Sequence, residues 1–167
     1  MYFRRPPQDS CVGILIRAAH SEDAAAIWSI IGPIIRADET YTLYQDISES
    51  ESLAYWLGAD RETFVAEVGG AIVGTYYMRP NQAGGGAHVC NCGFMTAAAD
   101  QGRGVARKTC EHSLAHAKAR GYRAMQFNFV VSSNERAVRL WRSLGFDVVG
   151  RLPLTFKLPA TDPWTRS

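Results

Sequence analysis

Gln101-Gly102-Arg103-Gly104-Val105-Ala106-Arg107 brings two glycines and two arginines together just ahead of a helical pattern. Glycine lets the backbone bend sharply, so that several N–H groups can converge on one point. The first turn of the following helix adds unpaired N–H donors and the positive end of its dipole. The chemistry that suits such a turn is the holding of a phosphate or pyrophosphate. Asn91, Asn128 and Asn134 form a second group. Asn is disfavoured inside strands and costs free energy when buried unpaired, yet Asn91 and Asn128 fall within strand-like runs. An amide facing a cleft can bind a carboxylate or an amine without carrying charge. His112 and His116 stand four apart, a spacing that could chelate a metal, but the sequence offers no third ligand and the pair reads as an exposed helix face. Cys90 and Cys92 point to one face of a strand and read as small buried residues, so no metal is expected.

The elements that must position these groups follow from periodicity and turn chemistry. A short strand over 13–17 leads to a helix over 23–31 that stops before Gly32-Pro33. A loop bearing Tyr41 follows, then a helix capped by Ser48 and Glu51 that runs to Leu57. Strands over 63–68 and 71–78 join at Gly69-Gly70, a hairpin signal. Residues 88–96 form a fourth strand, 104–120 a helix closed by Gly121, and 124–131 a fifth strand. Ser132 and Glu135 have the spacing of a capping box for a last helix over 134–144, before a sixth strand at 146–150. The glycine loop thus lies at the carboxyl end of the fourth strand, where open sheets bind ligands.

Two phosphate loops fail on the residues. A Walker loop needs Gly-Lys-Ser/Thr, which is absent, and a dinucleotide fingerprint needs a third glycine where Arg107 stands. Gln101, Gly104 and Ala106 instead fit Gln/Arg-x-x-Gly-x-Gly/Ala. With the preceding strand, Asn134 and Gly145-Phe146, the chain resembles the GCN5-related N-acetyltransferase family from about residue 13 to 150. Cys90-Asn91-Cys92-Gly93-Phe94, Phe127-Asn128-Phe129-Val130, and Asn134-Glu135 with Leu140-Trp141 are similar to the yeast-type branch that acetylates proline analogues such as azetidine-2-carboxylate.

The resemblance implies an α/β fold: a six- to seven-stranded mixed, mostly antiparallel sheet with about four helices on both faces, splayed between strands 4 and 5. It implies acetyl-CoA as donor. Gln101, Gly102, Arg103, Gly104, Val105, Ala106 and Arg107 would hold the pyrophosphate, and the backbone of Phe94, Met95 and Thr96 the pantetheine arm. A backbone N–H would face the thioester carbonyl. Asn91, Asn128 and Tyr76 would contact the acceptor, and Asn134 would serve CoA binding and catalysis. A small-molecule amine is the expected acceptor, attacking directly, since no nucleophile elbow is present. A homodimer is the expected assembly.

The chain departs from the family pattern at two places. Many members carry a Tyr in the last helix that protonates the leaving thiolate; here the position is Trp141, whose indole N–H is a poor acid. Trp141 is expected to pack against the pantetheine arm or the core. A thiol of pKa about 8.5 leaves tolerably without help. No residue stands out as general base, and a water chain ending in the 40s loop, Tyr76 or Tyr77 is the expected route. Beyond Gly150, the two prolines Pro153 and Pro159 leave room for at most one short edge strand or an arm.

Composition sets the outer limits. A net charge of +2, with basic residues scattered, argues against a nucleic-acid partner. No apolar run is long enough to cross a membrane. The four cysteines, without a secretory signal ahead of them, read as reduced thiols of a cytoplasmic protein. Residues 1–12 read as a disordered leader, 13–158 as a single acetyltransferase domain and 159–167 as a tail. A peptide or lysine acceptor, and a non-catalytic acyl-CoA-binding module, are the alternatives.

Overall fold

The computed structural model describes residues 13–159; the leader and most of the tail lie outside them. β1 (Leu15–Ala18), β2 (Glu62–Val68), β3 (Ala71–Pro80) and β4 (Val89–Thr96) pair antiparallel in that order, and β5 (Ala124–Met125) joins β4 in parallel. The hairpin between β2 and β3 turns at Gly69 and Gly70, both at positive φ, as a tight two-residue connection requires.

Helices cover both faces. α1 (Ala24–Ala37) and α2 (Glu49–Trp56) bury Ile27, Ile31, Ile35 and Trp56 against Val65, Tyr77 and Met95. α3 (Val105–Ala119) packs on the opposite face, where Phe64, Tyr76, Met78, Cys90 and Cys92 form the core. The cysteines of β4 are therefore core residues, as their spacing suggests. α2 is capped within Ser48–Glu51 as expected, through a box in which Ser48 accepts from the Glu51 N–H and the Glu51 carboxylate accepts from the Ser48 N–H. The left-handed Gly121 follows α3.

Five sequence expectations need correction. α1 does not stop at Gly32-Pro33 but continues to Ala37. Proline removes one helical hydrogen bond, while continuing the helix buries Ile35. Gly32 also leaves the Trp28 ring room, since a Cβ there would stand 3.1 Å from it. The fifth strand is two residues long rather than eight, and no sixth strand forms at 146–150. Among the described residues the sheet therefore has five strands, because the chain leaves β4 after Met125 and Phe146 closes onto Phe127 instead, with ring centroids 4.7 Å apart. α4 (Glu135–Ser143) is capped by Asn134, whose Oδ1 accepts from the Ala137 N–H at 3.1 Å, not by Ser132. His112 and His116 are not on an open surface. Their rings stack on each other and edge onto Phe64, with His112 Nδ1 2.6 Å from the Tyr76 hydroxyl and His116 Nε2 2.9 Å from Glu62. Burial, then the neighbouring His116, lowers the His112 pKa.

At the start of α1, Asp23 is buried and takes both Nη groups of Arg17, at 2.7 and 2.8 Å, and the His20 N–H at 2.7 Å. The Arg17 hydrogen bonds hold its carboxyl down at about 2. A depressed carboxyl stabilises the fold above its unfolded pKa, near 4, and that contribution is lost as pH falls toward 2. Thermal unfolding followed from pH 5 down to pH 2 should show a falling midpoint in the wild type. The same limb should be flatter in Asp23→Asn, and an unaltered slope would remove Asp23 from the account.

Candidate active site

The splay of the sheet builds the site. Ala97 N–H donates to Val73 O at 2.9 Å and Asn81 N–H to Val89 O at 2.8 Å. The odd-numbered residues of β4 thus face β3, and the even-numbered ones turn their N–H and C=O groups the other way. On that side Gln126 N–H meets Cys90 O at 2.8 Å, and strand pairing then ends. The backbone of Cys92, Phe94 and Thr96 is left facing a gap. Two side chains set its edges. Asn91 Nδ2 donates to Gln126 O at 2.8 Å, and the Tyr41 hydroxyl donates to Phe94 O at 2.9 Å, leaving the Phe94 N–H directed into the gap.

Two clefts meet there. The larger, about 1050 Å³, runs from β4 to the glycine loop and is lined by Phe94, Met95, Thr96, Gln101, Gly102, Gly104, Val105, Ala106, Arg107, Asn134 and Trp141. Eleven of the positions expected to serve the donor are thereby brought together. Arg103 is not among them: it turns to Asp100, 2.5 Å away, and has an exposed side chain. Arg136 and Arg139 of α4 border the cleft in its place. Their three-residue spacing on one helical face, opposite the glycine loop, is a signal the sequence did carry. Gly102 and Gly104 both adopt positive φ, +83° and +84°. A Cβ on Gly102 would lie 2.8 Å from Arg136 Nη2, so glycine there leaves the guanidinium room beside the loop. Arg107 Nη2 donates to the Ser143 hydroxyl at 2.7 Å, which ties α3 to α4 across this end.

The smaller cleft, about 320 Å³, opens on the α1 and α2 side of the sheet and includes Asn91, Asn128, Tyr55, Tyr77 and Arg79. Thr40, Tyr41, Phe94, Asn134, Ala137 and Trp141 border both clefts. Trp141 packs with Phe94 at 5.3 Å and Phe127 at 5.0 Å between ring centroids, the packing role expected of an indole there. Asn91 is buried, and Asn128 donates to Asn81 Oδ1 at 2.9 Å. Tyr76 is not brought to this cleft. It is fully buried on the α3 face, stacked on Phe64 with centroids 4.9 Å apart, because alternation along β3 points it away from Tyr77. Tyr41, Tyr55 and Arg79 also line this cleft although the sequence assigns them no acceptor role, and Tyr77 enters there only as one end of a water chain. Recognising them needs the cross-strand register, which sets Tyr77 opposite Gly93 and Arg79 opposite Asn91.

The described residues of the smaller cleft include no activated nucleophile. Burial raises the Tyr77 phenol, as does its hydrogen bond to Tyr55, so the Tyr77 hydroxyl remains protonated at neutral pH. The hydrogen bond with Cys90, then burial, raises the Cys92 thiol, so the cysteine bordering the smaller cleft is no thiolate nucleophile. Among the described residues lining this cleft there is no carboxylate or imidazole.

Residues 25–146 match the acetyltransferase (GNAT) family. The chain therefore belongs to that family, acyltransferases that draw on acetyl-CoA. N-acetyltransferase aca1 of Schizosaccharomyces pombe is 31% identical over 80 residues, a stretch covering 48% of this chain and 38% of that protein. The chain thus matches well under half the length of this relative. A GCN5-related N-acetyltransferase from Kribbella flavida superposes with a TM-score of 0.87 at 37% identity, covering 94% of this chain and 96% of the other. The fold is also shared with yncA, a putative acetyltransferase from Salmonella typhimurium solved with its cofactor acetyl-CoA, at a TM-score of 0.77, 23% identity and coverage of 86% and 85%. The residues found here fit that donor: a glycine turn with cations for its phosphates, and an unpaired strand edge for its amide-bearing arm.

Proposed function

We propose that the protein transfers the acetyl group of acetyl-CoA directly to the amine of a small molecule, an amino acid or a proline-like analogue. The observation that carries this reading is the junction of the two clefts at Phe94. A donor arm laid along the β4 edge ends beside a compact polar chamber walled by Asn91, Asn128 and Tyr77. The chamber suits a small ligand, since pockets for such molecules start at roughly 300 Å³. The Phe94 N–H is placed to stabilise charge on a carbonyl oxygen at the junction. Asn134 caps α4 with its oxygen and keeps its amide nitrogen, which bonds no protein group, for the ligands of the two clefts. The amine loses its proton to water, because the chamber wall offers no base. The name of the Schizosaccharomyces pombe relative, an N-acetyltransferase, supports transfer to nitrogen.

The test is release of free thiol from acetyl-CoA in the presence of azetidine-2-carboxylate, proline, other amino acids, polyamines and peptides. Turnover should be confined to the small amines and should fall when Asn91 or Asn128 is replaced by alanine, through the Michaelis constant of the amine. Turnover with peptides alone would transfer the reading to a protein acceptor. Tight CoA binding with no turnover would reduce the protein to a binding module.

A further inference from the structure

The sheet face that carries Asn91 also carries Arg79, its directly paired residue on the neighbouring strand. Side chains so paired start about 5 Å apart. Both line the acceptor chamber. Arg79 reaches a carboxylate through one long contact, Nη1 to Asp60 Oδ2 at 3.4 Å. Asp60 is already held by Arg61, through Nε at 2.8 Å and Nη2 at 3.1 Å. One carboxylate serves two guanidinium groups, so the pair carries a positive charge that the protein does not balance at this point. Arg61 cannot present it to the chamber, for its side chain is only 7% exposed and lies over the rings of Tyr55 and Tyr77, 4.6 and 4.8 Å from their centroids. The Arg79 side chain is 33% exposed.

Among the described residues, two side-chain polar atoms are covered without a partner, and both belong to this pair: Arg61 Nη1 and Arg79 Nε. A covered donor of a charged group is costly to leave unbonded, and such an atom in a native fold calls for a partner, whether water, ion or ligand. Arg79 Nη2 bonds no protein atom either and is not covered, and Arg79 is one of the residues lining the chamber. A modest swing of the guanidinium toward the chamber would bring Nε to the same ligand as Nη2, the two-donor fork that suits a carboxylate.

The asparagines are committed differently. Each already donates from Nδ2, Asn91 to the Gln126 carbonyl and Asn128 to the Asn81 amide oxygen. Asn91 Oδ1 accepts from no protein group and is not covered, on a residue that lines the chamber. An amide oxygen accepts from an amine N–H and repels a carboxylate.

We propose that Arg79 is the anchor for the acceptor's carboxylate and that Asn91 Oδ1 receives its amine, so that the site selects amino and imino acids over amines lacking the acid group. The inference rests on the small-amine reading above. An α-amino acid carries the two groups on one carbon, which matches two recognition residues paired side by side on adjacent strands.

Azetidine-2-carboxylate and azetidine differ only by the carboxylate and are the probes. Binding to the CoA-loaded protein is followed by tryptophan fluorescence, since Trp141 borders the chamber, and turnover is followed by thiol release. Wild type should favour the acid in kcat/KM by about 100-fold, and Arg79→Met should bring that preference to within a few-fold of one, as expected for truncating one partner of a charge pair. Arg79→Lys should recover part of the preference, through charge without the fork. CoA affinity reports on folding, and Arg79→Gln takes the place of the methionine variant if that one loses CoA. A preference retained in Arg79→Met, or equal loss of both probes, overturns the anchor. Wild type that uses azetidine as well as the acid also overturns it, while leaving the small-amine reading intact. Binding of the acid that depends on Arg79 without any acetylation upholds the anchor and refutes the transfer reading instead.

Discussion

Gly93→Ala should cost this fold about 1–3 kcal/mol, the usual range for forcing an extra methyl group into a packed site. The added Cβ would stand 2.6 Å from Tyr77 Cε1, 2.8 Å from Cζ and 3.0 Å from the hydroxyl oxygen. A ring at the end of a flexible arm could move aside cheaply. This one cannot, because Tyr77 is only 4% exposed, edges onto Trp56 with centroids 4.9 Å apart, and lies beneath the Arg61 guanidinium. Denaturant unfolding should show a lower midpoint with an unchanged slope, the sign of lost stability without a changed unfolded state. The functional loss should fall on the acceptor, whose chamber Tyr77 walls, with the affinity for CoA little altered. A variant as stable as wild type would mean that the ring is freer than its contacts imply.

Alanine at Gly102 or Gly104 should act on the other substrate. Both glycines lie at positive φ, a conformation that costs a residue with a Cβ about 1–2 kcal/mol. At Gly104 nothing lies within 4 Å of the added atom, so the backbone term stands alone. At Gly102 the methyl group also meets Arg136 Nη2 at 2.8 Å, but an exposed arginine end can retreat. If the loop relaxes to escape the strain, its N–H groups no longer converge, and the cost appears as weaker acetyl-CoA binding. At 1.4 kcal/mol per decade, that is roughly a 5- to 30-fold rise in dissociation constant for either variant. Titration of CoA onto the two variants decides it; wild-type affinity in both would show that the loop amides do not hold the donor.

The loop could be read from the sequence because its signals are local. Glycines at the turn, the helix that follows and the Gln-x-x-Gly-x-Ala spacing all lie within a few residues, as do the Gly69-Gly70 hairpin and the Ser48–Glu51 box. What escaped depends on partners far along the chain. Residues 124–131 alternate like a strand, but pairing stops where Asn91, 35 positions away, takes the Gln126 carbonyl and Phe146 closes onto Phe127. α1 passes through Pro33 because of isoleucines whose burial needs the sheet already in place. The histidine face of α3 looked solvent-bound because Phe64 and Glu62, which cover it, arrive from β2. Arg79 and Asn91 look unrelated in sequence and become neighbours only through the β3–β4 register. Tyr76 and Tyr77 are adjacent in sequence, and the pleat sends them to opposite sides of the sheet.

Tyr41, Phe94 and Trp141 form a wall common to both clefts, and Tyr41 is fastened to Phe94 by the hydrogen bond to its carbonyl. With donor and acceptor seated as proposed, neither settles without pressing on a surface that the other also uses. The two affinities are thermodynamically linked, and any factor by which the thioester helps or hinders the amine is returned by the amine in equal measure. A partition that sides with neither ligand makes the order of arrival a matter of rates, while the free energy of the ternary complex is the same by either route.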